Sequence, residues 1–169
     1  MNQKVITVTV NIDMNEKTLE DKVIELEKLV EALDGEVVLS LTQNKSYVDK
    51  AFYIGKGKVE EIKDYCEKLE AEFVVFNNEL TGSQVKNLEE IIGIRVIDRT
   101  NLILDIFSER ARTKEAKLQV KLAKLKYTLP RLSALRSGFS RQQGGIGGKG
   151  IGEQQIELDR RTINREISS

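Results

Sequence analysis

Six glycines lie within nine residues, Gly144 to Gly152, inside the stretch SRQQGGIGGKGIGEQQIELDRR (Ser140–Arg161). Gly145, Gly147 and Gly150 satisfy G-x-G-x-x-G, a spacing that lets a backbone approach the pyrophosphate of a dinucleotide. That chemistry requires a strand before the glycines, a helix opening within a βαβ unit, and an acidic residue about twenty positions on. Here a basic helical pattern precedes the glycines and no strand pattern follows, so the match is a coincidence of glycine density. A Walker phosphate loop fails as well. Position 143 is Gln, and Gly150 follows Lys149 where Ser or Thr would hold Mg²⁺.

What the segment does offer is charge on a pliable backbone. Arg136, Arg141 and Lys149 supply cations, and Gln142 and Gln143 supply amide donors and acceptors. Gly144, Gly145, Gly147, Gly148 and Gly150 permit close approach to an irregular anion such as structured RNA. The segment 137–152 is long for a connection within a compact unit, and loops of that length are functional or unstructured. A tip with no ligand is the competing reading. Phe139 is the one aromatic residue nearby, so stacking on single-stranded bases is not supported.

Two other places carry chemistry-bearing residues. Gly55, Lys56, Gly57 and Lys58 spell a glycine–lysine turn before a helix, where backbone N–H groups and two ammonium groups suit a phosphate. A tight turn with solvated lysines explains the same residues. In VIDRTN, Asp98 and Thr100 fall at the carboxyl end of a strand, the edge where open α/β sheets bind ligands. Either residue also serves as a plain helix cap. No catalytic constellation emerges. Histidine is absent and Cys66 is the one cysteine, which excludes His-based catalysis, Cys–His nucleophiles, structural zinc and disulfides. Cys66 shares a helical stripe with Val59, Ile62 and Leu69, and its expected place is the core.

The elements that must position these residues differ between the two ends of the chain. Strand signals at Lys4–Val10, Val37–Leu41, Phe73–Phe76 and Ile94–Ile97 alternate with helix signals from Thr18, Val59, Thr81 and Thr100. Thr81 and Gln84 fit a capping box, and Gly93 closes that helix. Strict alternation implies a small parallel four-stranded sheet covered by helices, without specifying strand order. From about Arg110 the pattern becomes one long helix, with Leu118, Leu122, Leu125, Leu129 and Leu132 as a seam and Pro130 as a kink. A second helix begins near Gly152 with Ile156, Ile163 and Ile167, so a long antiparallel helical hairpin is expected. The division is 1–109 for the α/β domain and 110–169 for the hairpin, with its tip at 137–152.

Charge divides along the same line. Residues 1–108 carry 13 Lys and Arg against 21 Asp and Glu, and residues 109–169 carry 14 against 6. Between Ala116 and Gly152 there are eight basic residues and no acidic one. No apolar run is long enough to cross a bilayer and no signal peptide opens the chain, so a cytoplasmic protein without membrane contact is expected.

VIDRTNLILDIFSERARTKEAKLQVKLAKLKYTLPRL (Val96–Leu132), GGIGGKGIGEQQIELDRR (Gly144–Arg161) and YIGKGKVEEI (Tyr53–Ile62) together resemble the HflX family of translational GTPases. The resemblance covers essentially the whole chain. It implies an N-terminal α/β domain bearing a helical hairpin, followed by a GTPase domain. It also implies binding to the large ribosomal subunit near the peptidyl-transferase centre and separation of stalled or stressed ribosomes. The family's glycine segment reads like G-x-R-G-P-G-E, whereas here Lys149 stands for the arginine and Ile151 for the proline.

By this resemblance the RNA-contacting residues are Arg136, Arg141, Gln142, Gln143, Gly144, Gly145, Gly147, Gly148, Lys149 and Gly150. The expected partners are large-subunit rRNA and a downstream GTPase domain, with the chain itself monomeric. GTP and Mg²⁺ belong to that further domain, and the chain itself is expected to hold no cofactor and not to be an enzyme. The family is also credited with adenine-nucleotide binding in its N-terminal region. The alternative reading is therefore a nucleotide-binding α/β domain with weak hydrolase activity, using Gly55, Lys56, Gly57, Lys58 and Asp98. A third reading pairs the leucine seam with another chain.

Overall fold

A computed structural model of the chain describes residues 3–45 and 48–131. Within them, β1 (Gln3–Asn11), β2 (Gly35–Asn44), β3 (Phe73–Phe76) and β4 (Arg95–Asp98) form one sheet in the order β2-β1-β3-β4. Every neighbouring pair is parallel. The helices are α1 (Glu16–Ala32), α2 (Lys56–Leu69), α3 (Gly82–Ile92), α4 (Arg99–Arg110) and α5 (Lys114–Thr128), followed by a 3₁₀ turn at Leu129–Arg131. The expected parallel four-stranded sheet with covering helices is the fold.

β1 is central because alternate residues serve both faces. Ile6, Val8 and Val10 join Val59, Ile62 and Cys66 of α2 and Leu88 and Ile92 of α3 in one core. Val5, on the opposite face, packs with Leu26 and Val30 of α1, Val75 of β3 and Leu102 of α4. Helices thus cover both sides, as an all-parallel sheet requires. Thr7 and Thr9 are polar yet buried, and each is satisfied. The Thr7 hydroxyl donates to Ser40 Oγ at 2.8 Å, Ser40 donates onward to Glu27 Oε2 at 2.8 Å, and Thr9 Oγ1 accepts from Asn77 Nδ2 at 3.3 Å.

Several boundaries differ from the sequence-based expectation, each for a local reason. α1 begins at Glu16, before Thr18, because Asn15 is the cap and its side chain accepts from Thr18 N at 2.8 Å. β2 continues past Leu41 to Asn44 because β1 keeps pairing with it that far, around a bulge between Val5 and Ile6. α2 begins at Lys56, not Val59, so three of the four residues of the glycine–lysine turn are its first turn.

The long helix expected from about Arg110 begins instead at Lys114, because the preceding helix, α4, runs on to Arg110. The backbone is extended at Ala111, and the Thr113 side chain starts α5 afresh by accepting from Ala116 N at 3.0 Å. α-Helical geometry then stops at Thr128, and Pro130 lies in the 3₁₀ turn. The second arm of the hairpin and the tip at 137–152 lie outside the described residues.

Candidate nucleic-acid interface

α5 is built to show lysines. Thr113 caps it, Glu115 lies in its first turn and Lys126 in its last, an arrangement that suits the helix dipole. Leu118, Leu122 and Leu125 are half-buried on one side, and no α5 residue is fully buried. Lys114, Lys117, Lys121 and Lys126 are exposed. Lys124 lies 3.1 Å from Asp105 of α4, in a pair with both side chains about two-fifths exposed.

At its far end α5 meets the sheet through one carboxylate. Asp98 ends β4 and is 1% exposed. Its Oδ1 caps α4 by accepting from Asn101 N at 3.0 Å, and its Oδ2 accepts from Leu80 N at 3.0 Å. The Tyr127 hydroxyl also donates to Oδ2. The residue read from the sequence as either a ligand group or a cap therefore caps α4, and its carboxylate faces protein donors.

Gly55 is the N-cap of α2, and its carbonyl accepts from Lys58 N at 3.0 Å and Val59 N at 3.1 Å. Lys58 pairs with Glu61 at 3.5 Å. Ahead of the helix, Asp49 Oδ1 accepts from Ala51 N at 2.8 Å and Phe52 N at 2.9 Å. Those two bonds, Phe52 first, and then the Lys45 charge hold the Asp49 carboxyl below its usual range. α3 ties the turn down, since Gln84 Nε2 donates to Asp49 O and Asn87 Nδ2 to Ala51 O, both at 2.9 Å.

The crevice between β1 and β3, where doubly wound sheets take ligands, is stitched shut by side chains. Asn78 accepts from Val10 N at 2.9 Å and donates to Val10 O at 3.2 Å, while Asn77 donates to Lys22 O at 2.9 Å. An open cleft of about 580 Å³ lies instead beyond β1 and β2, lined by Asn11, Ile12, Asp13, Met14, Asn15, Asn44 and Lys45. Sequence reasoning missed this cleft. Its trace in the sequence is the pair of polar endings NIDMN and QNK. Among the described residues no group of acidic or cysteine side chains gathers to hold a metal ion, and no helix is long and apolar enough to cross a membrane. Arg136, Arg141, Gln142, Gln143, Gly144, Gly145, Gly147, Gly148, Lys149 and Gly150 lie outside the described residues.

Comparison with known proteins assigns the class. Residues 20–108 match the GTP-binding GTPase N-terminal family, and residues 110–169 match the GTP-binding GTPase Middle Region. The chain therefore falls in the class of GTP-binding GTPase N-terminal and middle regions, matched from residue 20 to residue 169 apart from residue 109.

Within that class the chain belongs to the HflX family. It is 52% identical over 150 residues to GTPase HflX of Caldanaerobacter subterraneus subsp. tengcongensis, covering 89% of this chain and 35% of that protein. It is 48% identical over 166 residues to GTPase HflX of Alkalihalophilus pseudofirmus, covering 98% and 39%. With GTPase HflX of Escherichia coli (strain K12) it shares 41% over 152 residues, covering 90% and 35%. The chain spans under two-fifths of the length of these relatives. In fold it is similar to the GTP-binding protein of the archaeon Sulfolobus solfataricus, solved in complex with GDP. That likeness has a TM-score of 0.65 at 24% identity, over 98% of this chain and 44% of that one.

Proposed function

We propose that this chain is the ribosome-contacting part of an HflX-type translational GTPase. In this reading the α/β domain holds a basic arm against large-subunit rRNA near the peptidyl-transferase centre, and the arm contributes to ribosome splitting or rescue. The observation that carries it is the lysine face of α5. Lys114, Lys117 and Lys121, at steps of three and four, stand exposed on one side of a helix with no fully buried residue, and the run from Ala116 to Gly152 holds eight basic residues and no acidic one. A face of one charge sign in an otherwise acidic molecule is an electrostatic footprint for phosphates.

Co-sedimentation with large ribosomal subunits tests this. Lys117→Glu with Lys121→Glu should weaken binding at least tenfold, and Arg136, Arg141 and Lys149 changed together to Ala should weaken it further. Undiminished sedimentation of both variants would remove the reading.

A second reading, a nucleotide site at the start of α2, is favoured by one observation. A Cβ on Gly57 would meet nothing within 4 Å, and one on Gly55 would meet only Lys45 Nζ, at 4.0 Å. A helix start so open, with lysines beside it, can admit a phosphate. Calorimetry with millimolar ATP or GTP decides it. Heat abolished by Lys56→Ala and Lys58→Ala supports the site, and no heat with either nucleotide eliminates it.

A further inference from the structure

We infer that Asp98 and Tyr127 form a latch that fixes the direction of α5 against the sheet. Its bearing on RNA contact rests on the function proposed above, but the latch itself does not. α5 packs along α4 through half-buried Leu118, Leu122 and Leu125, but none of its side chains is fully buried, so packing alone fixes its angle only weakly. It joins α4 through three residues, Ala111 to Thr113, with Ala111 and Thr113 extended. That joint is the point about which α5 would turn.

Tyr127 lies fourteen positions beyond Thr113, about 20 Å along a helix that rises 1.5 Å per residue. A bond at the end of so long a lever restricts the swing far more than one beside the pivot. The acceptor is rigid, because Asp98 is 1% exposed and pairs in register with Phe76 of β3. The backbone amides of Leu80 and Asn101 hold it from two further segments. A hydroxyl donating to a carboxylate is a charge-assisted bond, stronger than a neutral one. A second ion pair, Lys124 of α5 with Asp105 of α4, has both side chains about two-fifths exposed, and solvent-accessible pairs contribute little.

Spin labels at Lys63→Cys on α2 and Lys121→Cys on α5, both exposed positions, read the arm's direction in the full chain. The parent should give one narrow distance. Tyr127→Phe keeps the ring, loses the donor, and should broaden or shift the distribution, while Lys124→Ala leaves it narrow. Amide exchange at Leu125–Thr128 should rise at least tenfold in Tyr127→Phe, with α4 amides unchanged. An unaltered distance and exchange in Tyr127→Phe would overturn the latch, as would equal broadening by Lys124→Ala. If Tyr127→Phe loosens the arm while co-sedimentation stays the same, the latch stands and the RNA role of α5 loses its support.

Discussion

Cys66 lies in the core beneath α2, where burial, and after it the Glu67 charge, push its thiol up from 9.0 to about 11. The folded state therefore favours the protonated thiol. The stability this contributes is complete below about pH 9 and is lost as pH rises towards 11. Folded protein at pH 8 should react with a thiol reagent at least a hundredfold more slowly than protein in guanidinium, and a thiol titration checks it. Gly35 makes a second point at this scale. A Cβ there would lie 2.6 Å from Val30 Cγ1 and 3.1 Å from Val30 O. Gly35→Ala should destabilise the fold by about 1–3 kcal/mol in urea melts, as overpacking does. The inward place of Cys66 was legible from its stripe with Val59 and Ile62. The partnership of Asp98 with Tyr127 was not, because the two residues are 29 positions apart and no local pattern links them.

Elements were most legible where a motif sits at their ends. Thr81 accepts from Gln84 N at 3.2 Å while Gln84 Oε1 accepts from Thr81 N at 2.9 Å, the reciprocal box expected from the residue types. Thr81→Ala should cost about 1 kcal/mol, read as a lowered urea midpoint with unchanged slope. β3 coincides with its expected span because short apolar runs between a helix end and an Asn-Asn pair leave little choice. β2 was underestimated because Thr42–Asn44 are strand only through their partners on β1. The start of α5 was placed a few residues early for a related reason. The leucine seam begins only at Leu118 and leaves the start open, whereas the Thr113 cap that fixes it is a single hydrogen bond.

Across the whole molecule, charge was fully legible and strand order was not. Each crossover from one parallel strand to the next can land on either side of its predecessor, and only the packed faces decide. The opposed charges of residues 1–108 and 109–169 lead to a prediction about salt. Binding of the chain to large subunits should fall steeply between about 50 and 200 mM salt, because neutralising phosphates releases counterions. Lys117→Glu with Lys121→Glu should flatten that dependence, as measured by co-sedimentation across the series. A salt-independent affinity would place the contact elsewhere than on the lysine face.

The central position of β1 also has a consequence for synthesis. Its pairing with β3 joins Val5–Val8 to Phe73–Phe76, so one side of the first strand made stays open until the third has emerged. At about 5–20 residues per second, that interval lasts several seconds on a translating ribosome. During it the ITVTV run is a bare strand edge on a nascent chain. An arrest sequence placed before residue 73 should therefore give nascent chains that bind chaperones, and one placed beyond Asp98 and its tunnel length should not.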